Sequence, residues 1–322
     1  MASKGTRPAS LSLDLDNEWC FMQTSGDPAW KDLPTYLPAV VPTMLDFFQA
    51  LNLEITFFIV GKDAEREENA ESLRAIGRAG HDIGCHSHGH QPWLHEYSVD
   101  EIDQELEMAE LAIKGATGVL PRAFRGPGYS YSRDVLEVLC GRGYRVDCSS
   151  FPNSTAALSR LYLFAKKPLK SRDRDQRGQL FGRNSEVFRP LKPYEWNLRA
   201  GKLLEIPVTT MPFARIPFHF SYILYIAQYS EKLAITYFAT ALRICAATGV
   251  QPSLLFHPLD FLGADNSPAS VAFFPGMGQE SPKKIRIIEQ CLIALQRHFR
   301  PVTIEEHVAA IRSQSRLRVL EF

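Results

Sequence analysis

Apolar and polar residues alternate along the first segment of the chain, and this alternation predicts a β-strand. Residues 10–16 run Ser-Leu-Ser-Leu-Asp-Leu-Asp. A period of two places the three leucines on one face and the carboxylates of Asp14 and Asp16 on the other. We therefore expect a first strand that carries two acids on one face near its C-terminal end.

Segments with helical periodicity alternate with short apolar runs along the chain up to residue 147. Helices are predicted over 36–52, 64–80, Ser98 to about Gly115 and 133–141, and strands over 54–60, 81–84, 123–125 and 144–147. Ser98 and Glu101 form a capping-box signature, which marks a helix start. The alternation predicts an α/β fold whose polar motifs lie at strand C-terminal ends, where barrel enzymes place catalytic groups.

A glycine-flanked histidine cluster follows the strand predicted over 81–84. His86 and His90 are four positions apart and can share one metal ion, either within a helical turn or in a tight loop. Neutral imidazole is the commonest metal-ligating side chain, but histidine-rich tracts also occur simply as loop composition. A third ligand is therefore needed to support a metal site.

The acids of the first strand offer that third ligand. Two carboxylates on one strand face repel each other, and a cation between or beside them removes the repulsion. One acid could then bind the metal while the other acts as a base, in a two-histidine, one-carboxylate site with open positions. A solvated strand face or a helix N-cap is the alternative interpretation of the two acids.

The motifs, taken in order, resemble the NodB-type polysaccharide deacetylases over about residues 11 to 257. The corresponding segments are Asp14-Leu15-Asp16, His86-Ser87-His88-Gly89-His90, Arg125-Gly126-Pro127-Gly128-Tyr129 and Ser253-Leu254-Leu255-Phe256-His257. The usual aspartates of the family are adjacent, whereas Leu15 separates them here, as in a subset of the family. The resemblance implies a deformed (β/α) barrel rather than a regular eightfold one.

The resemblance also implies a role for each motif residue. Asp16, His86 and His90 would bind a divalent metal, with zinc first and cobalt, nickel or manganese also compatible with these ligands. Such a metal polarises an amide carbonyl and lowers the pKa of bound water. The remaining assignments are Asp14 as general base, Arg125 as its ion-pair partner, His257 as general acid, a backbone N–H of Gly128 or Tyr129 as oxyanion donor, and Asp147 in support.

Two of these residues have an ordinary alternative. Arg125 could form a surface ion pair, which contributes little to stability. His257 follows the apolar run Leu254-Leu255-Phe256 and could be a core histidine whose ring is satisfied by a backbone carbonyl. The sequence leaves both alternatives open.

Composition indicates one large domain over residues 1–322. Hydrophobic residues make up 45% of the chain, and 36 basic residues balance 36 acidic ones, so no global attraction to nucleic acid or membranes is expected. Six cysteines without close paired spacing are typical of reduced thiols in a cytosolic protein. The N-terminal segment has no apolar signal-peptide core, so we expect a cytoplasmic location.

The alternation fails between residues 153 and 202, which we interpret as a basic insertion before residues 203–322 complete the barrel. The segment holds twelve Lys/Arg against four Asp/Glu. It could bind phosphate or anionic lipid head groups, or it could be a solvated loop. The aromatic segment 217–225 that follows predicts a core helix, with an acyl-chain cover or a membrane-surface helix as alternatives.

Together these features predict a hydrolase that removes an N-acetyl or N-formyl group from an amino sugar. We expect a lipid- or nucleotide-linked sugar from a glycan or glycolipid pathway, with peripheral membrane contact and without a nucleic-acid partner. A small-molecule amidohydrolase on the same scaffold is one alternative. A non-catalytic sugar-binding module is the other, and it would lack part of the metal or base set.

Overall fold

A mostly parallel sheet organises the computed structural model, which describes residues 7–156, 184–314 and 317–322. The strands are β1 (Pro8–Asp14), β2 (Thr56–Ile59), β3 (Asp82–Cys85), β4 (Ala123–Phe124), β5 (Val146–Asp147), β6 (Tyr194–Leu198), β7 (Gly201–Glu205), β8 (Ser253–Phe256), β9 (Arg300–Val302) and β10 (Arg318–Leu320). Their order is β10-β6-β7-β5-β4-β3-β2-β1-β8, and β9 also pairs with β1. Of these pairings, only β6 with β7 is antiparallel.

Helices separate most of the strands along the chain. They are α1 (Glu18–Ser25), α2 (Leu37–Ala50), α3 (Gly61–Ala64), α4 (Glu67–Arg78), α5 (Val99–Thr117), α6 (Arg133–Gly141), α7 (Phe220–Ala227), α8 (Glu231–Thr248), α9 (Ser281–Gln296) and α10 (Ile304–Gln314). The predicted alternation is confirmed, and the arrangement is that of a deformed (β/α) barrel. Among the described helices, none is both long enough and apolar enough to cross a bilayer.

β1 is covered on both faces, which explains its alternating sequence. Leu11, Leu13 and Leu15 are fully buried in the main hydrophobic core, and burial of each leucine contributes about 2 kcal/mol. Ser12 and Asp14 lie on the opposite face and are also buried. The polar face of β1 is therefore internal, so its polar groups need partners within the protein.

Local sequence signals, such as capping residues and apolar periodicity, predicted several helices correctly. Ser98 and Glu101 form the predicted capping box at the start of α5, and α6 has the predicted bounds. The aromatic segment forms the core helix α7, in which Phe220 stacks on Phe256 with ring centroids 3.8 Å apart and planes inclined by 5°. This stacking joins α7 to the end of β8, next to the site described below.

The predicted basic insertion is only partly described. Eight of its twelve basic residues fall within 157–183, outside the described residues. The described remainder includes the β6–β7 hairpin, and the predicted boundary at residue 203 falls within β7. In this hairpin region Arg189 pairs with Glu186 and Lys202 with Glu195, which leaves these two cations already matched by acids.

The buried histidine His307 should make stability depend on pH. Its Nδ1 is 2.9 Å from Ser10 Oγ and its Nε2 is 2.9 Å from Gln251 Oε1, and burial lowers its pKa to about 4. The unfolded chain then binds this proton at higher pH than the folded one, so the free energy of unfolding falls as pH drops below about 6.5.

We expect His307 to account for a loss of about 2 kcal/mol between pH 7 and pH 5. Urea unfolding at pH 5, 6 and 7 should show a correspondingly flatter decline for His307→Gln than for the wild-type protein. Equal declines in the two proteins would contradict this assignment.

Candidate active site

Three potential metal ligands meet at the C-terminal edge of the sheet. β1 ends at Asp14 and β3 at Cys85, and the loops after these strands carry Asp16, His86 and His90 to the same place. One ligand atom of each lies within 4.8 Å of the others. Asp16 Oδ1 is 3.2 Å from His86 Nε2 and 3.1 Å from His90 Nε2. The structure thus brings together the three residues that the sequence predicts as ligands.

A backbone contact fixes which nitrogen His86 presents to this cluster. His86 Nδ1 is 2.6 Å from the carbonyl oxygen of Arg125. A carbonyl only accepts hydrogen bonds, so Nδ1 must carry the proton and Nε2 keeps its lone pair. The lone pair therefore belongs to the nitrogen that faces Asp16, which is the orientation that a metal-binding imidazole requires.

Several atoms of the cluster lack the partners that burial normally demands. Among the described residues, Asp16 Oδ1 and both ring nitrogens of His90 make no hydrogen bond although they are buried. Each buried atom left in this state costs about 1–3 kcal/mol, and a divalent cation between the carboxylate and the imidazoles would remove part of that cost. Two imidazoles and a carboxylate also suit a catalytic metal with open positions. The residues therefore fit a divalent metal.

The electrostatics of the cluster favour an anionic Asp16. Although burial raises it, the imidazoles of His90 and His86 hold the pKa of Asp16 well below its usual value. Burial lowers the pKa of His86, but Asp14 and Asp16 outweigh burial and the net shift is upward. An ionised carboxylate beside two imidazoles is the charge arrangement that a divalent cation binds.

The two loops that carry the ligands are fixed by specific contacts. Tyr36 donates its hydroxyl hydrogen to the carbonyl of Asp16 at 2.5 Å. Ser87 and His90 adopt left-handed backbone angles, with φ of 60° and 50°, and such residues are uncommon outside functional or tightly constrained turns. The edge of the Trp19 ring packs against His90 with centroids 6.1 Å apart.

Arg125 and Asp14 form a buried ion pair next to this cluster. The Arg125 guanidinium donates from Nη1 to Asp14 Oδ1 at 2.5 Å and to Ser12 Oγ at 2.9 Å, and from Nε to the Cys148 carbonyl at 3.0 Å. Arg125 has no exposed surface, and its guanidinium lies 4.4 Å from the centroid of the Phe58 ring. The surface ion-pair alternative for Arg125 is therefore wrong.

The loop after Arg125 is a tight turn that Asp147 supports through a serine. Gly126 donates its backbone N–H to Ser149 Oγ, and Ser149 donates its hydroxyl hydrogen to Asp147. A Cβ on Gly126 would lie 1.9 Å from the Ser130 carbonyl oxygen, so only glycine fits there. Tyr129 donates its backbone N–H to the Gly126 carbonyl at 2.9 Å. Because the Tyr129 N–H already makes this hydrogen bond, the Gly128 N–H is the better candidate of the two for the oxyanion donor.

His257 lies at the end of β8, on the wall of a cavity. Its Nδ1 is 3.0 Å from Ser221 Oγ, and its backbone N–H donates to Asp260 Oδ2 at 2.9 Å. The side chain is only partly buried and borders the cavity. The core-histidine alternative, with a backbone carbonyl as ring partner, does not describe this contact because Nδ1 faces a hydroxyl.

A cavity of about 500 Å³ joins these groups. Asp14, Asp16, His86, His90 and His257 all border it. Aromatic side chains form much of the remaining wall, namely Phe21, Tyr129, Phe151, Tyr222, Tyr225 and Phe274. A concave, mainly apolar cavity with a few convergent polar groups is typical of a small-molecule site.

His219 is a cavity residue that sequence analysis did not identify. It borders the cavity, and its buried Nδ1 makes no hydrogen bond within the described part of the chain. Burial, with the neighbouring His257 and Arg125, lowers the pKa of His219 to about 3, which keeps the ring neutral. Its only sequence signal was a histidine directly before an apolar helix, which does not distinguish it from a core residue.

Two buried acids near the site were also missed. Asp63 accepts hydrogen bonds from Asn17 and from the Trp19 indole, and burial raises its pKa to about 6. Glu205 accepts from the Trp196 indole and lies beside Asp147, and burial together with the Asp147 charge raises its pKa well above the usual value. Isolated acids within ordinary segments gave no sequence signal for either role.

Comparison with known proteins identifies the region that carries the histidine and arginine motifs. Residues 28–146 match a family model described as polysaccharide deacetylase. The chain is 30% identical over 113 residues to a peptidoglycan deacetylase of Helicobacter pylori, which is 35% of this chain and 38% of that protein. It is 35% identical over 86 residues to chitin deacetylase 1 of Cryptococcus neoformans var. grubii, 27% of this chain and 18% of that one.

The fold has a counterpart among solved structures. A crystal structure of a candidate polysaccharide deacetylase from Mycobacterium smegmatis superposes with a TM-score of 0.64, over 99% of this chain and 96% of that one, at 18% sequence identity. At 18% identity this comparison supports a shared fold and nothing more specific. The chain spans little more than a third of the length of the H. pylori relative, so the match to that protein covers only part of its architecture.

The ligand cluster should bind one divalent metal ion per chain. We expect elemental analysis and Zn²⁺ titration calorimetry to find this ion in the wild-type protein. Loss of a group that only supports a metal ligand typically weakens metal affinity by about 10- to 100-fold, and we expect His86→Ala, which removes a ligand itself, to weaken the affinity further. His88→Gln is the matched control, because His88 Nε2 lies 3.1 Å from Glu65 outside the cluster. Metal binding that is equal in wild type and His86→Ala would disprove the site.

Proposed function

We propose that this chain, whose residues 28–146 match the polysaccharide deacetylase family model, is a metal-dependent hydrolase of that family that removes an N-acetyl or N-formyl group from an amino sugar. The observation that carries the proposal is the juxtaposition of the Asp16, His86 and His90 cluster with the buried pair of Asp14 and Arg125. A non-catalytic binding module would have no need of a base held beside a metal site.

In the proposed reaction, Asp14 is the general base that takes a proton from the attacking water. Arg125 orients the Asp14 carboxylate through the charge-assisted hydrogen bond at 2.5 Å. A divalent metal held by Asp16, His86 and His90, with zinc as our first choice, would supply the positive charge that polarises the amide carbonyl and acidifies water. In this proposal the base and the metal-binding carboxylate are therefore different residues, Asp14 and Asp16.

Attack of water forms a carbon–oxygen bond and places negative charge on the former carbonyl oxygen. The Gly128 backbone N–H is the protein donor that we assign to this oxyanion. His257 then gives a proton to the leaving nitrogen as the carbon–nitrogen bond breaks. The products are acetate or formate and the free amino sugar. Asp14 returns its proton to the medium and His257 takes one up, which restores both groups.

The cavity supports a substrate larger than a free sugar. Its volume of about 500 Å³ falls in the range of sites that enclose a drug-sized ligand. Aromatic rings provide flat apolar surface for a sugar face, but Phe21, Phe274 and Leu224 add wall that a polar monosaccharide would not use. We therefore propose a carrier-linked amino sugar whose apolar portion contacts this wall.

The thiols support a reducing, cytoplasmic setting for the reaction. All six cysteines lie within the described residues and are unpaired, and five of them are buried. Proteins of oxidising compartments tend to pair such residues as disulfides.

Replacement of the base should separate chemistry from metal binding. We expect Asp14→Asn to lower kcat on an N-acetylated amino sugar by about 10²- to 10⁴-fold, the range that a positioned base contributes, while the metal content stays at one ion per chain. Asp134→Asn is the control, since Asp134 is exposed on α6. If Asp14→Asn loses the metal and Asp16→Asn keeps it, the two aspartates have the opposite roles.

A panel of N-acetyl and N-formyl amino sugars, each free and linked to a lipid phosphate or a nucleotide, should identify the substrate class. We expect release of acetate or formate to be faster by at least about tenfold in kcat/KM with a linked sugar, which is about 1.4 kcal/mol of added transition-state binding. Equal turnover of free and linked sugars would disprove carrier specificity. Turnover of non-sugar amides alone would instead favour an amidohydrolase.

A further inference from the structure

We propose that His219 is a specificity-determining residue that, together with Asn153 and the ring of Phe151, binds an uncharged hydroxyl group of the amino sugar next to its acylated carbon. The proposal deepens the proposed function and rests on it, because these residues border the cavity of that reaction. All three lie outside the four motif segments.

The hydrogen bonds that hold a core histidine are missing from His219. In the core, His307 has a partner for each ring nitrogen, Ser10 Oγ and Gln251 Oε1, both at 2.9 Å. His219 Nδ1 is buried and makes no hydrogen bond with any residue that the structure describes. A buried polar atom in this state is destabilising. Because the His219 ring borders the cavity, a ligand there can supply the partner that the protein does not.

The backbone fixes the position of His219 without using its ring. His219 is the N-cap residue of α7, and its carbonyl accepts the backbone N–H groups of Tyr222 and Ile223, both at 3.1 Å. The usual N-cap residues are serine, threonine, aspartate and asparagine, whose side chains bond the first N–H groups of the helix. The His219 side chain makes no such bond. The helix therefore begins without a side-chain cap, and an imidazole borders the cavity instead.

The neutral state of His219 decides which chemical groups it can bind. Burial, and then the charges of His257 and Arg125, lower the pKa of His219 to about 3. A neutral imidazole has one N–H donor and one acceptor nitrogen, which suits a hydroxyl group, since a hydroxyl both donates and accepts. The ring has no positive charge for a phosphate or a carboxylate. His219 therefore suits the sugar rather than the charged part of a carrier.

Phe151 and Asn153 supply the other contacts that a sugar requires. The centroid of the Phe151 ring lies 6.0 Å from that of His219 and 4.4 Å from that of Tyr129. Asn153 Oδ1 accepts the backbone N–H and the hydroxyl hydrogen of Thr155, at 2.7 and 2.9 Å, so Nδ2 is the part of its amide that can donate to a ligand. An aromatic surface beside neutral polar groups suits a sugar, which has both C–H surface and hydroxyls.

The position of His257 indicates which hydroxyl His219 binds. The ring centroids of His219 and His257 are 6.3 Å apart, and His257 is the proposed proton donor to the leaving nitrogen. Rings this close can contact one sugar through groups on adjacent carbons, namely the acylated nitrogen and the neighbouring hydroxyl. In N-acetylglucosamine this is the 3-hydroxyl, whereas the 6-hydroxyl is more distant.

Deoxy analogues of N-acetylglucosamine give the kinetic test. We expect His219→Phe, which keeps a flat ring and removes both nitrogens, to lower kcat/KM on the parent sugar by about 10- to 100-fold, as loss of a buried hydrogen bond does. The 3-deoxy analogue should lose a similar factor with the wild type, and His219→Phe should then add no further loss, because the two changes remove the same contact. The 6-deoxy analogue should still show the His219→Phe loss.

Two further variants serve as controls. His219→Gln keeps a donor and an acceptor, so it should retain more of the parent rate than His219→Phe and should still discriminate against the 3-deoxy analogue. His298→Phe, at a partly exposed histidine outside the cavity wall, should match the wild type on every sugar.

The same contact can be measured without turnover. In ¹H–¹⁵N spectra of the histidine rings, the His219 signal is assigned by its absence in His219→Phe. We expect N-acetylglucosamine to shift this signal in Asp14→Asn, which lacks the proposed base, and the 3-deoxy analogue to leave it unshifted. These spectra decide the proposal alone if turnover of N-acetylglucosamine is too slow to measure.

The outcomes separate this proposal from the proposed function. Equal losses in His219→Phe on the parent sugar and on both analogues would indicate a merely structural role for His219 and overturn its assignment, while the hydrolase activity stands. A wild-type protein that cleaves no N-acyl sugar, free or linked, would overturn the proposed function. In that case an unshifted His219 signal would overturn the sugar contact as well, whereas a shift that needs the 3-hydroxyl would support it.

Discussion

The buried ion pair between Arg125 and Asp14 is the interaction on which the rest of the site depends. Removing one partner of such a pair leaves an uncompensated charge in the interior, at a cost of about 3–5 kcal/mol. Arg125 also uses its carbonyl to orient His86 and its Nε to bond the Cys148 carbonyl. One residue at the end of β4 thus links the proposed base, a metal ligand and the neighbouring strand, so these groups cannot move independently.

Satisfied and unsatisfied buried atoms have different meanings in this molecule. Arg125, Asp147 and Lys284 are buried, and the hydrogen bonds that they make with serines and carbonyls fix the backbone around the site, although Arg125 Nη2 and Asp147 Oδ2 have no partner among the described residues. Asp16 Oδ1, His90 Nε2 and His219 Nδ1 are buried without such bonds among the described residues, and all three side chains border the cavity. The first group shapes the site, whereas the second is available to a metal or a substrate.

The sequence predicted those parts of the site that depend on local spacing. The period of two in β1 placed Asp14 and Asp16 on one face, and the glycines around His86 and His90 marked a loop after a strand. Parallel strands bring their C-terminal ends to one edge, so the ligands could be grouped before the structure was known. Helix signals worked for the same reason, since capping boxes and apolar periodicity are local.

Contacts between distant segments could not be predicted in this way. Ser221 looked like one polar residue within an apolar helix, and its meeting with His257 depends on how α7 packs against β8. His219 was hidden by the same helix pattern. The β6–β7 hairpin was not predicted because the surrounding basic residues suggested an insertion. Its pairing, and the pairing of Glu205 with Asp147, depend on contacts between strands that local sequence patterns do not contain.

Asp147 and Glu205 are paired positions of adjacent strands, β5 and β7, and both are fully buried. Burial raises the pKa of both carboxyls, and the charge of Asp147 raises the pKa of Glu205 further, because two like charges in one buried site oppose each other's ionisation. Folding therefore shifts the ionisation of both acids towards the protonated form, relative to the unfolded chain. Through Ser149 and Gly126, the turn that carries the proposed oxyanion donor rests on Asp147, so the charge on this pair of acids is coupled to the backbone that would bind the oxyanion.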